Sequence, residues 1–301
     1  MKTWLKRLGY ALGALVALVL VLVAYVYAAS EMRFRKTYSL AGTPVVVPTD
    51  SASIARGRHL AVAIAKCTVC HGDQLAGGAV IDGSPMGRLT APDLTRGEGG
   101  LGATLSDADW ERAIRHGVLP NGRSVRIMPA AEYQHLADED VADIIAWARS
   151  VAPARDTQPP THLMLLPRAL MVFGQLPLMQ APQVDANAHP PEAMSPSATA
   201  EYGRYITQVG GCQMCHGPTL SGGKVVGGDP SWPPAANITP AGLALYTEAS
   251  FVQTLTTGKR PDGTPLREPM PWRATAQMTP DEFHALWLYL QSVPPKAFGA
   301  R

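Results

Sequence analysis

Apolar residues run from Leu8 to Ala29, 22 positions without a charge, behind the basic opening MKTWLKR. About 20 helical residues cross a bilayer core, so the pattern predicts a transmembrane helix within residues 1–30. Lys2, Lys6 and Arg7 predict a cytoplasmic N-terminus, with everything after Ser30 on the opposite face. A cleaved signal peptide is the alternative reading, since VYA ending at Ala28 could serve as a cleavage site, but the apolar region of a signal peptide is commonly only about 7 to 15 residues. Both readings export the rest of the chain.

Past the anchor the apolar positions recur at helix spacing. SASIARGRHLAVAIAKC and SATAEYGRYITQVGGC read as helices, and so do LSDADWERAIRHG and YTEASFVQTLTTG. In LSDADWERAIRHG, Ser106 with Asp109 three positions later forms a cap-like start, followed by Trp110, Ala113 and Ile114 at i, i+3 and i+4. LADEDVADIIAWARSVAP and MTPDEFHALWLYLQSVPP each open on acidic residues and stop at a proline. No segment alternates convincingly as a strand.

These helices belong to a repeat. Shifted by about 145 residues, the chain aligns with itself: ARGRHLAVAIAKCTVCHG with EYGRYITQVGGCQMCHG, APDLT with AANIT, and HGVLPNGRSVRIMP with TGKRPDGTPLREPMP. The prediction is an all-α chain of two tandem domains, 51–153 and 198–297, after the transmembrane helix. Residues 154–197 are a Pro-rich linker containing the apolar run HLMLLPRALMVFGQLPLM. Pro167, Arg168 and Pro177 interrupt that run, which predicts no second span; it packs across the two domains, lies on the membrane, or meets a partner. With 301 residues, 46% of them apolar, the chain is long enough for this plan. A net charge of +2 and the lack of a basic cluster after residue 36 argue against a nucleic-acid partner.

All four cysteines fall in two copies of Cys-x-x-Cys-His, Cys67, Cys70 and His71, then Cys212, Cys215 and His216. In an exported chain four cysteines would ordinarily predict disulfides. A thioredoxin-like pair needs a βαβ context that is missing, and a zinc site wants its ligand pairs converging in one place. Cys-x-x-Cys-His is also the attachment signature of c-type haem, in which the thiols become thioethers and the histidine ligates the iron. Two covalently bound haem c groups are therefore expected. For the other axial ligand, Met128 and Met270 align in the repeat, each is followed by proline, and they lie 57 and 54 residues after His71 and His216. A thioether in this role raises the haem potential. His135 is the alternative to Met128. His59, His116 and His135 have no histidine counterparts, Met278 reads as packing, and Met86 and Met214 have no sulfur counterpart. Thr95, Thr239 and Asn237 are candidates for bonding haem propionates or for turn roles, and Trp110, Tyr133, Trp147, Trp272 and Tyr289 for packing aromatics.

With these motifs the sequence resembles the class I cytochrome c family, twice over. The anchored start, the Gly-Gly after each motif, NIT in the second copy and the Met-Pro before a closing DEDVADIIAWARSVAP helix are similar to the multihaem cytochrome c subunits of membrane-bound bacterial alcohol and gluconate dehydrogenases. Those subunits commonly carry three haem domains, and two are found here. The resemblance implies His/Met haems that relay electrons from a periplasmic dehydrogenase, or another redox protein, toward quinone or a terminal oxidase. It further implies residence in the inner membrane, with lipid met through the N-terminal helix. The second functional class is a dihaem enzyme of the peroxidase or thiosulfate-oxidising kind, which needs one iron with an open or easily displaced ligand; the paired methionines favour the carrier, with no catalytic residue of its own.

Overall fold

The computed structural model describes residues 2–40, 42–155, 157–185 and 188–300; positions 1, 41, 156, 186, 187 and 301 lie outside them. Helix α1 spans Lys2–Arg35, roughly 50 Å at 1.5 Å per residue. Its apolar residues, Leu8, Leu12, Leu15, Leu18 and Leu20 among them, are exposed all round. Such a helix suits lipid, not water. Only toward its end, at Val26, Ala29, Ser30 and Phe34, does it become buried against the rest of the chain.

The first half follows with α2 (Ser51–His59), a π turn (Leu60–Ile64), α3 (Cys67–His71), a hairpin of β1 (Gly78–Gly83) and β2 (Gly87–Ala91), α4 (Asp107–His116), α5 (Ala130–Tyr133) and α6 (Asp138–Ser150). After β3 (His162–Leu163) and α7 (Leu165–Val172), the second half repeats the helices as α8 (Ala200–Val209), α9 (Cys212–His216), α10 (Glu248–Thr257), α11 (Trp272–Thr275) and α12 (Pro280–Ser292). The cap-like sequence at Ser106 is a capping box with Asp109, and Thr247 with Ser250 and Thr279 with Glu282 form the same device.

The all-helical expectation needs one correction. A small antiparallel sheet of order β1-β2-β3 is present. β1 escapes the alternation test because it is half-exposed or exposed throughout, and β2, which buries only Leu89 and Ala91, is too short to show it. The hairpin grows from the pairing of Gly78 with Ala91, and the aligned Gly223 and Ala235 form an isolated bridge in the second half. The sheet is therefore an extension of a contact both halves share.

In each half the first helix crosses the last at a glycine. A Cβ on Gly57 would lie 1.8 Å from the carbonyl oxygen of Asp143, and one on Gly203 would lie 1.9 Å from that of Ala285. Asp143 and Ala285 align in the repeat, so the crossing is the same device used twice. From the crossing to the first cysteine there are ten positions in the first half, Gly57 to Cys67, and nine in the second, Gly203 to Cys212. The π turn at Leu60–Ile64 takes up the extra residue, as such single-turn bulges do inside α-helices.

The halves share one hydrophobic core. Leu60, Ile64, Leu136 and Ile145 of the first and Tyr202, Ile206, Leu286 and Leu290 of the second belong to it. Aligned residues meet reciprocally across the seam. His59 Nε2 lies 2.8 Å from Glu282 Oε1, while Tyr205, the partner of His59 in the alignment, donates its hydroxyl to Asp140, the partner of Glu282. That reciprocity marks an approximate two-fold relation, as in an isologous dimer.

The apolar linker run is folded against the rest of the chain and touches both halves. Met171, Leu176, Leu178 and Met179 form a small second core with Phe34 of α1, Leu89 of the hairpin and Leu163. Beyond it, Pro177 reaches Gly227 of the second half.

Because the carbonyl facing each crossing glycine is helix backbone, Gly57→Ala and Gly203→Ala should each cost about 3 kcal/mol or more by overpacking. A fall in thermal midpoint for both variants, read from the near-UV signal, checks this; a change within error for either would show that the crossing can open.

Candidate functional site

The two Cys-x-x-Cys-His turns are built alike down to single hydrogen bonds. A residue in the left-handed region precedes each first cysteine: Lys66 at φ 57° and Gly211 at φ 68°. The turn of helix then carries the second cysteine and the histidine. Past it, Gly77 N–H donates to His71 O at 2.9 Å and Gly222 N–H to His216 O at 2.8 Å. Leu75 and Leu220 both take positive φ, 54° and 61°. Each accepts from the strand-like return, Leu94 N–H to Leu75 O and Ile238 N–H to Leu220 O.

That return fixes the histidines. His71 Nδ1 lies 3.0 Å from Pro92 O, and His216 Nδ1 lies 2.7 Å from the aligned Ala236 O. A carbonyl can only accept, so Nδ1 carries the proton and Nε2 keeps its lone pair for a metal. Burial holds both imidazoles below the usual histidine range, with the carbonyl bonds opposing it, which favours the neutral, ligating form. All four cysteines are free of disulfides. Burial pushes the Cys67 thiol up to about 12 and raises the other three as well.

Met128 and Met270 also occupy equivalent turns. Ala130 N–H donates to Met128 O at 2.7 Å and Trp272 N–H to Met270 O at 2.8 Å, closing three-residue inverse γ-turns. Their centres are Pro129 (φ −77°, ψ 63°) and Pro271 (φ −82°, ψ 52°). Gly117 and Gly258, the left-handed C-caps of α4 and α10, lie against the residue just after each proline, Ala130 and Trp272. The end of one helix thereby places each methionine loop. Both methionines are partly buried and pack against the shared core.

The rival side chains have other surroundings. Met278 is buried in the core, Met214 is 51% exposed, and Met86 lies against the small core at the anchor. His59 is engaged by Glu282, and His116 Nε2 is 3.4 Å from Glu111. His135 has Asp185 of the linker as its charged neighbour. Thr95 and Thr239 are fully buried, and their hydroxyls accept the backbone N–H of Ala154 and Lys296, tying down the segment after the last helix of each half. Asn237 serves the same purpose, accepting from Thr239 N–H and donating to Lys296 O. These three are turn and anchoring residues.

Lys66 and Tyr133 have roles that the sequence pattern alone does not reveal. The Lys66 ammonium donates to Ile64 O at 2.8 Å and, across the seam, to Gly210 O at 3.0 Å. Cys67, Cys212 and Cys215 are its neighbours, and burial pulls it below the usual lysine range. The Tyr133 hydroxyl donates to Ala65 O, beside Cys67. One signal does point to Lys66: it fills a left-handed position that the second copy gives to Gly211, and a side chain tolerated there against its backbone preference often has a use.

This donor set suits haem c. Each half offers two half-buried thiols, a histidine with its lone pair on Nε2, and a methionine loop fixed by the same turn. The buried indole N–H of Trp110 has no acceptor among the described residues, a place for one brought by a bound group. Among the described residues no three or more His, Cys, Asp or Glu side chains are gathered as a bare metal site would need. Bound haem supplies an iron that takes up and releases single electrons.

Comparisons with known proteins agree. Residues 52–147 match the family model of cytochrome c oxidase, cbb3-type, subunit III. The chain is 30% identical to the fructose dehydrogenase cytochrome subunit of Gluconobacter japonicus, over 86% of this chain and 58% of that protein. It is 27% identical to the cytochrome c subunit of the alcohol dehydrogenase (quinone) of Komagataeibacter europaeus, over 85% and 58% respectively. A diheme cytochrome c-type protein of Cereibacter sphaeroides is 27% identical over 68% of this chain and 70% of its own length. The chain thus spans just over half the length of the fructose and alcohol dehydrogenase subunits it matches. Residues 52–147 thus match a cytochrome c family model, and the chain is similar over most of its length to the cytochrome c subunits of fructose and alcohol dehydrogenases and over 56% of it to that of a gluconate dehydrogenase, relatives that imply covalently bound haem c.

Proposed function

We propose that the chain is a membrane-anchored dihaem cytochrome that carries electrons between a periplasmic dehydrogenase, or a quinone-linked donor, and the respiratory chain. Residues 51–153 and 198–297 would be its two haem domains. Cys67, Cys70, His71 and Met128 hold one haem, and Cys212, Cys215, His216 and Met270 the other. The helix around Leu8–Ala29 crosses the inner membrane, and both haem halves lie in the periplasm.

One observation carries this reading: the two sites share the backbone hydrogen bonds that follow each Cys-x-x-Cys-His turn and the γ-turn at each methionine. A dihaem enzyme needs its irons to differ, one of them open to substrate. Two equivalently presented thioether ligands support a relay in which both irons are six-coordinate. The relatives' names supply the partner class, since the fructose, alcohol and gluconate proteins are all dehydrogenase cytochrome subunits.

Mass measurement on the denatured chain should show two haem additions, and Cys67→Ser with Cys70→Ser should leave one. Haem that leaves on acid-acetone extraction would count against thioether attachment.

Loss of a soft thioether destabilises ferrous iron and opens a ligand position. Met128→Ala should lower one reduction potential and leave the other, and Met270→Ala should do the reverse, each variant gaining carbon monoxide binding at a single iron. If reduced wild-type protein already binds carbon monoxide readily at one haem and turns over peroxide there, the carrier reading gives way to the dihaem enzyme.

A further inference from the structure

At the foot of the anchor lies a group of charges that electron transfer does not use. A cavity of about 150 Å³ opens there, lined among others by Glu31, Phe34, Arg35, Arg123, Arg126 and Arg168. Four guanidinium groups face one carboxylate. Glu31 is occupied by Arg35 at 2.8 Å, with Arg168 at 3.7 Å. Arg168 also donates to Leu163 O and to Ser30 Oγ, at 3.1 and 2.9 Å. Among the described residues no carboxylate lies within ion-pairing distance of Arg123 or Arg126. Arg126 instead lies over the Phe34 ring at 4.6 Å, and Arg168 lies over the same ring at 5.1 Å. Burial, together with the like charges of Arg168 and Arg123, holds Arg126 below the usual arginine range. Like charges collected around a cavity repel unless an anion joins them.

The depth of the cavity narrows the choice of anion. The apolar run ends at Ala29, and Glu31, Phe34 and Arg35 follow within six residues, roughly 3 to 9 Å farther along the axis. The headgroup layer adds about 5 to 7 Å to each side of the hydrocarbon core. Beside the cavity, α7 and its C-cap leave Leu165, Leu166 and Phe173 exposed, apolar surface of the kind that lies in a membrane interface. Guanidinium forks match phosphate oxygens in geometry and charge.

We propose that this cavity binds a phosphate group between Arg123, Arg126 and Arg168, and that the headgroup of an anionic glycerophospholipid supplies it. The depth assigned to the cavity rests on the membrane anchor proposed above. In the test, full-length haem-loaded protein is reconstituted into phosphatidylcholine nanodiscs doped with phosphatidylglycerol, and the lipids it retains on release are counted by native mass spectrometry. Wild type should retain phosphatidylglycerol several-fold above its bulk share. Arg123→Gln with Arg126→Gln should lose that enrichment, and Arg126→Lys should keep part of it. Arg58→Gln with Arg96→Gln, exposed residues that do not line the cavity, should keep all of it. Haem content and thermal midpoint show whether each variant is folded, and the exposed Arg123→Gln alone should weaken retention without disturbing either.

Titration of lipid-free protein with inorganic phosphate separates the two sources. Phosphate binding that Arg126→Gln abolishes, without phosphatidylglycerol enrichment, upholds the anion site and overturns its lipid occupant. Neither binding nor enrichment in wild type, or equal losses in the control pair, overturns the site itself. Flotation with vesicles is scored separately: failure to float sinks the anchor, whereas flotation without enrichment or phosphate binding sinks only the site.

Discussion

The close crossing of the first and last helices governs the rest of each half. With a backbone carbonyl standing where a Cβ would be, the two helices can slide or rotate very little against each other. The first helix leads into the cysteines, and the last follows the methionine loop after one short helix, α5 or α11. One contact therefore sets the spacing between the two walls of the site before any cofactor is present. The π turn shows how firm that constraint is. An extra residue between crossing and cysteine would rotate every later side chain by about 100° in a regular helix, and the wide turn at Leu60–Ile64 absorbs it while keeping all five of its residues buried.

The second constraint is the seam. His59 with Glu282 and Tyr205 with Asp140 repeat one contact in both directions, and Arg56 reinforces it by pairing with Asp140 and Asp143. Between the two Cys-x-x-Cys-His turns sits the Lys66 ammonium, bonded to a carbonyl of each half. A buried charge is tolerated only when its donors are met, so separating the halves would strand it. The shared core and this staple make the pair of sites one rigid object, which is what a relay between two irons requires.

Much of this was legible in the sequence because the chain states it twice. Helix periodicity, caps and motif spacing placed the helices, and alignment selected Met128 and Met270 over nine other methionines. The hairpin went unseen because β1 offers no alternating face and has no long counterpart in the second copy. The seam went unseen for another reason. Its contacts join residues such as His59 and Glu282, more than two hundred positions apart, and nothing local marks them. Thr95 and Thr239 were found by their repetition, but repetition alone could not say whether a hydroxyl meets a cofactor or a backbone N–H.

The anchor is rigidly joined to the first half. Arg33 donates to Met171 O and Val172 O, the carbonyl end of α7, where a cation is favoured by the helix dipole and by unpaired carbonyls. Just past the helix, Tyr38 N–H donates to Gly122 O at 2.8 Å and Thr43 N–H to Glu111 Oε2 at 2.9 Å, so the connecting segment is pinned to the first half along its way. Phe34 buries itself in the small core with Leu89 and Met179. A flexible tether would let the haem halves sample every orientation above a membrane. These contacts hold the first half in one pose relative to α1, and the seam extends that pose to the second. The apolar linker run thereby gains a physical purpose: it joins α1 to the first half through a core of its own, and with α1 in a membrane, as proposed, it would present both sites at a set height and angle to a donor or acceptor there.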